Sequence, residues 1–169
     1  MIIRVSAKLG KKIHVSPVKS LPADSNPFAD WSAHLFTADR VQYILMTNTL
    51  SLYSMVMYGK GVTDDNQFLS QMTSYMGEFI RDCGHAFLFE RLIAPSTARV
   101  AFSKPLNRSV TGSMNELVLQ ARFLIIEQKM SPYDTSFQLN NVPMSYLKYD
   151  NPREAFLKLK PSEEGESNH

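Results

Sequence analysis

The sequence predicts an α+β fold: an antiparallel β-sheet meander packed against an amphipathic helix, with a central two-faced helix and short C-terminal helices. Three observations carry this. Residues 31–58 contain three apolar, strand-like runs separated by only a few residues, as antiparallel hairpins require. The stretch 64–83 confines its apolar residues to one stripe at helical spacing. Strands cluster early and helices late, without the alternation of a doubly wound parallel sheet.

Ile2 to Val5 reads as a short strand and Ser6–Lys12 as a helical turn or two, with Leu9 and Ile13 inward and Lys8, Lys11 and Lys12 outward. Three prolines between Pro17 and Pro27 mark a surface loop. Trp31–Thr37 alternates, placing Trp31, Ala33 and Leu35 on one face and Ser32, His34 and Phe36 on the other. Val41–Asn48 and Leu50–Tyr58 are nearly continuous apolar runs, suited to strands covered on both sides. Across 64–83, Phe68, Met72, Met76, Phe79 and Ile80 fall within an arc of roughly 140°. Thr63 or Asp64 caps its start, and Gly84 stops it. A short helix over Ala86–Ile93 and a strand over Ala98–Ser103 follow.

The segment Ser109–Met130 differs, because it is apolar on two sides. Val110, Met114, Leu117, Val118 and Ala121 form one face; Leu119, Phe123, Ile126 and Met130 form the other. Such a helix is covered twice, by later elements of its own chain or by a partner. Cover from within, by Tyr133–Leu139 and Arg153–Leu159, is the preferred reading. Residues 1–160 then make one compact domain, and 161–169 a disordered acidic tail.

The length of 169 residues suffices for a core burying roughly 70% of the unfolded chain's surface. One cysteine, Cys83, forms no internal disulfide, the start lacks a signal-peptide pattern, and no apolar run reaches membrane-spanning length. A cytoplasmic protein with no membrane partner is expected. The net charge of +2 is uneven. Residues 1–20 hold five bases, Arg4 included, and no acids; Glu163, Glu164 and Glu166 make the end acidic; the body is neutral.

Recognisable catalytic chemistry is missing. His14, His34, His85 and His169 are scattered, so neither a metal nor a cofactor is expected. Gly59-Lys60-Gly61 is a turn and not a phosphate loop, and Gly112-Ser113 falls early in a helix and not on a nucleophile elbow. Asp64 and Asp65 suit a helix start, and Cys83 a core position. His34, on a strand beside Trp31, is either a hydrogen-bonded structural histidine or a general base. The run from Lys104 to Asn115 enters the two-faced helix with Lys104, Arg108, Ser109 and Thr111 as donors for an anion; alternatively Asn107 or Ser109 caps that helix and Arg108 pairs with an acid such as Asp39.

Two stretches carry a family resemblance. Trp31-Ser-Ala-His-Leu-Phe-Thr-Ala-Asp-Arg40, followed by a strand ending at Asn48, and Asn107-Arg-Ser-Val-Thr-Gly-Ser-Met-Asn115 resemble an uncharacterised bacterial domain family without established activity. Weaker likeness extends to Pro143-Met144, Tyr149 and Pro152. The resemblance implies one compact domain and a setting near mobile elements. It points to Trp31, His34, Arg40, Asn48, Asn107, Arg108, Ser109 and Asn115; with Lys104 these are the candidate ligand-binding residues.

Three functions compete. The first is a non-enzymatic interaction module, binding a protein partner or a second copy as a homodimer through the second helix face or an open sheet edge. The second is a nucleic-acid or phosphate binder, with the basic residues of 1–20, Lys60, Lys104 and Arg108 on phosphates and Trp31 or Tyr53 stacking on a base, disfavoured by the neutral body. The third is a small hydrolase or transferase with His34 as base and Arg108 as clamp. The first is the preferred reading, with no catalytic residues assigned.

Overall fold

A computed structural model of the chain describes residues 1–162. Its five strands are β1 (Ile2–Val5), β2 (Asp30–Ala38), β3 (Val41–Asn48), β4 (Ser54–Tyr58) and β5 (Ala101–Ser103). They form one sheet in the order β4-β3-β2-β1-β5. The antiparallel meander comprises β2, β3 and β4, while β1 lies between β2 and β5 and runs parallel to both. Parallel neighbours need a long crossover, which helix α1 (Ala7–Ile13) and the proline-rich loop after it supply between β1 and β2. The β2–β3 hairpin closes through Asp39 and Arg40, both at positive φ (48° and 66°) as a two-residue primed turn requires.

Strand alternation sorts the core into two layers. Trp31 and Ala33 of β2, Ile44 and Met46 of β3, and Met55 and Met57 of β4 face helix α2 (Asp65–Asp82). Phe36, Tyr43, Leu45 and Val56 face helix α4 (Arg108–Ile126). Covering both faces is what allows β3 to be apolar almost throughout. The Asp64 carboxylate accepts the Gln67 N–H at 2.8 Å to start α2, and Gly84 follows at φ 85°.

Two strands begin later than expected. The run from Leu50 becomes β4 only at Ser54, because residues 49–53 form the corner after β3, held by the Asn48 side chain. The run from Ala98 becomes β5 only at Ala101, because Ala94–Ala98 is a 3-10 turn. The helix expected over Ala86–Ile93 divides into a short α3 (Ala86–Leu88) and a wider π turn, Phe89–Ile93. Of the expected acidic tail, everything beyond Ser162 lies outside the described residues; the Ser162 N–H donates to the Ser25 carbonyl at 2.9 Å.

The expected cover reaches only part of the second face of α4: Ile126 and Met130 are half-buried, but Leu119 and Phe123 are not covered. Helix α5 (Pro132–Leu139) packs beside α4 but is drawn to the edge of β4, and helix α6 (Pro152–Leu157) turns away, burying Phe156 in the α2-side core. Leu119 is therefore 64% exposed and Phe123 54%. The edge of β4 is not open either. Side chains of Ser136 on α5, of Asn140 at its C-terminal cap, and of Tyr75 on α2 bond its outward backbone groups.

Candidate functional site

The candidate residues separate into a structural set and a surface set. Trp31 is fully buried on the α2-side face, donating its indole N–H to the Phe28 carbonyl at 2.8 Å. Asn48, its cross-strand partner, is also fully buried. Asn48 Nδ2 donates to the Pro27 carbonyl at 2.8 Å, and its oxygen accepts the Ser51 N–H at 3.0 Å and the Ser51 hydroxyl at 2.9 Å. The strong polar groups of this pair are used internally, the Asn48 oxygen in shaping the corner that positions β4. Arg40 occupies the hairpin tip, exposed and at positive φ.

Asn107 caps α4, its Oδ1 accepting the Val110 N–H at 2.9 Å. The Ser109 carbonyl accepts the Ser113 hydroxyl at 2.9 Å. Arg108 is exposed and, among the described residues, forms no ion pair, so the expected partnership with Asp39 is absent.

His34 and Asn115 do come together. Even-numbered residues of β2 face α4, and Asn115 lies two turns along that helix from its start. Both line a groove of about 450 Å³ bounded by Ser6 and Lys8 at the head of α1, by Val118 and Leu119, and by Arg122. Arg122 is fixed there: its Nε donates to the Thr37 carbonyl at 2.9 Å, and its guanidinium carbon stands 6.0 Å from the centre of the Phe36 ring. Burial holds the His34 imidazole below its ordinary pKa, favouring the neutral ring, which offers one donor nitrogen and one acceptor nitrogen. A second groove, of about 460 Å³, lies against the first and shares Ser6 and Ala7; Lys11 and Lys104 line it.

Lys8 and Lys11 belong to the basic first segment, whereas Arg122 is a residue that the sequence reading does not single out. A signal for it exists: Arg122 stands seven residues after Asn115, two turns on along the same helix face. Arg4 corrects the reading of the basic first segment. It is fully buried, with Nε donating to Asp30 Oδ1 at 2.9 Å and Nη2 to Oδ2 at 2.8 Å. It thus belongs to the core and not to a solvated arm. Lys60 lies apart too, in a different groove that also contains Glu78. Nor does Arg108 line the His34 groove; Arg122 closes it instead.

Among the described residues, no carboxylate or thiol lines the groove with His34. Cys83 lies across the sheet, accepting a hydrogen bond from the Tyr53 hydroxyl at 3.3 Å, and burial pushes its thiol pKa up, away from the nucleophilic thiolate. Among the described residues there is no cluster of three or more His, Cys, Asp or Glu able to hold a metal, and no helix long and apolar enough to cross a membrane.

This geometry sits inside a recognised sequence family. A family described as a domain of unknown function, DUF6933, matches residues 2–155, which is nearly the whole chain. The chain belongs to that family. The match takes in both stretches that carry the resemblance, and both helices, α1 and α4, that line the two abutting grooves of this DUF6933 domain. No curated protein matches it.

Proposed function

We propose that this DUF6933 domain is a non-enzymatic protein-interaction module that pairs with a second copy of itself through the outer face of α4. The observation supporting this is the exposure of Leu119 and Phe123, four residues apart on one helix face, above a groove of about 320 Å³ between α4 and α5. Leu124 and Val142 line that groove, and among the described residues Gln120 and Gln138 are its only polar ones. A sharply apolar ridge beside an apolar groove is self-complementary. In an antiparallel α4–α4 pairing about a two-fold axis, each Phe123 lies over the other copy's Leu119. Phe123 is the kind of large, rigid side chain that anchors interfaces. A bacterial cytoplasmic setting near mobile elements completes the reading and rests on the sequence alone.

Light scattering or sedimentation over a range of concentrations tests this against the Leu119→Lys, Phe123→Lys double variant. The native chain is expected to dimerise and the variant to remain monomeric with an unchanged circular dichroism spectrum. A native chain still monomeric at about 1 mM, where an association of only ~4 kcal/mol is visible, would sink the proposal.

A further inference from the structure

The fold gathers cations that the sequence keeps apart. Lys8 and Lys11 come from α1, Lys104 from the end of β5, and Arg122 from the third turn of α4 beyond Gly112. All four line the two abutting grooves that share Ser6 and Ala7. No carboxylate among the described residues lines either groove. The four ion pairs among the described residues, Arg4–Asp30, Arg81–Glu90, Arg153–Glu154 and Lys158–Asp150, use none of these cations. In a chain whose net charge is only +2, an unneutralised strip of four cations is a local concentration and not a general trend.

We propose that the strip formed by Lys104, Lys11, Lys8 and Arg122 binds the phosphate backbone of a single-stranded nucleic acid. Its shape selects the single strand. Duplex DNA is read by an element that projects into a groove, whereas these cations border two abutting concavities, one of them lined also by Leu35 and Val118. A flexible strand can follow such a trough with its phosphates along the cationic rim. Arg122 adds a flat surface, since its guanidinium is held by Thr37 with Phe36 beside it, and His34 adds a neutral ring. Unstacked bases pack on planar groups of both kinds. Lys60, outside the strip and sharing its groove with Glu78, takes no part.

Fluorescence anisotropy with a labelled oligothymidylate of about 12 nucleotides tests the site. Four phosphate contacts predict a log–log salt slope of about −2.8, or about 50-fold weaker binding between roughly 50 and 200 mM salt. The Lys8→Ala, Lys104→Ala double variant, altered only at exposed positions, should reduce the slope to about −1.4, while Lys60→Ala binds as the native chain does. Absent binding at about 50 mM salt, or a double variant with the native slope, overturns the proposal. A duplex of the same length bound more tightly than the single strand overturns it also. Complete displacement by inorganic phosphate at matched ionic strength would reassign the strip to small phosphate compounds and end the strand reading. Dimerisation is read with different variants and a different measurement, so either idea can fail alone.

Discussion

Asn140 and Ser54 exchange two hydrogen bonds across the edge of the sheet. The Ser54 N–H donates to Asn140 Oδ1 at 2.8 Å, and Asn140 Nδ2 donates back to the Ser54 carbonyl at 2.9 Å. A side-chain amide thus stands where the backbone of a sixth strand would lie. One pleat further on, the Val56 N–H donates to the Ser136 hydroxyl at 2.8 Å, and the Tyr75 hydroxyl donates to the Val56 carbonyl at 2.5 Å. That tyrosine's own pKa is pushed up to about 12, chiefly by burial. Edge strands invite pairing with other chains, and here α5 and α2 close the edge with side chains.

The Asn140→Ala variant should therefore lose about 1–3 kcal/mol, because the Ser54 N–H and carbonyl stay buried without partners. Denaturant unfolding measures the loss. Self-association through the uncovered edge should appear together with it in sedimentation. An Asn140→Ala chain with native stability would show that water replaces the amide at no cost.

Arg4 and Asp30 make a different prediction. Their bidentate pair is buried, and the Arg4 Nη1 also donates to the Leu21 carbonyl at 2.7 Å and to the Ser103 hydroxyl at 3.2 Å. The guanidinium therefore binds β1, β2, β5 and the proline-rich loop to one another. Removing one partner strands a buried charge, so Arg4→Met should cost about 3–5 kcal/mol. Adding Asp30→Leu should recover only part of that, since the loop carbonyls still lose their donor and the Asp24 N–H loses the Asp30 carboxylate, which accepts it at 3.0 Å. Full recovery in the double variant would mean that the loop contacts contribute nothing.

Comparing the two cases shows what was legible in the sequence. Strand faces, the α2 stripe and its caps follow from periodicity, which local residue spacing records directly. The meander followed from short connections. The parallel placement of β1 did not, because a four-residue strand carries no mark of its neighbours. Nor does the sequence mark Arg4 as buried: its partner lies 26 residues away, and nothing local signals the pair. Among the candidate site residues, His34 and Asn115 meet because strand and helix phases happen to face one groove. Trp31 and Asn48 are instead a cross-strand pair with internal duties. The lysines of the grooves were visible as charge but not as a strip, which only the packing of α1 against β2 and the approach of Lys104 create.

Phe156 offers the most direct test of the C-terminal segment. Asn151 caps α6, its Oδ1 accepting the Glu154 N–H at 2.8 Å, and the helix delivers Phe156 into the core. The ring stacks on Tyr53 at 4.2 Å and meets Phe28 and Trp31 edge-on at 5.2 and 6.0 Å. Phe156→Ala should cost about 3–5 kcal/mol by leaving a cavity bounded by three aromatic rings. Trp31 is the sole tryptophan, so its fluorescence follows unfolding and also reports water entering the cavity of the native state as a red shift. An unchanged emission maximum with unchanged stability would place Phe156 outside the core.

His34 makes stability depend on pH in a direction fixed by its environment. Burial lowers its folded pKa below the ordinary 6.5, so the unfolded chain binds the proton more readily than the folded one. Its contribution is fully present above the unfolded pKa and is lost as pH falls through 6.5 toward the lower folded value. Below the folded value no further loss comes from this residue. Lys8 and Arg122, which share the groove, give an incoming proton no relief. Denaturant unfolding between about pH 5 and pH 8 should show native stability rising with pH, and the His34→Gln variant should rise less. Proton-detected titration of the imidazole gives the folded pKa independently. A value at or above 6.5, or an unaltered pH profile in His34→Gln, would show that burial does not govern the titration of this ring.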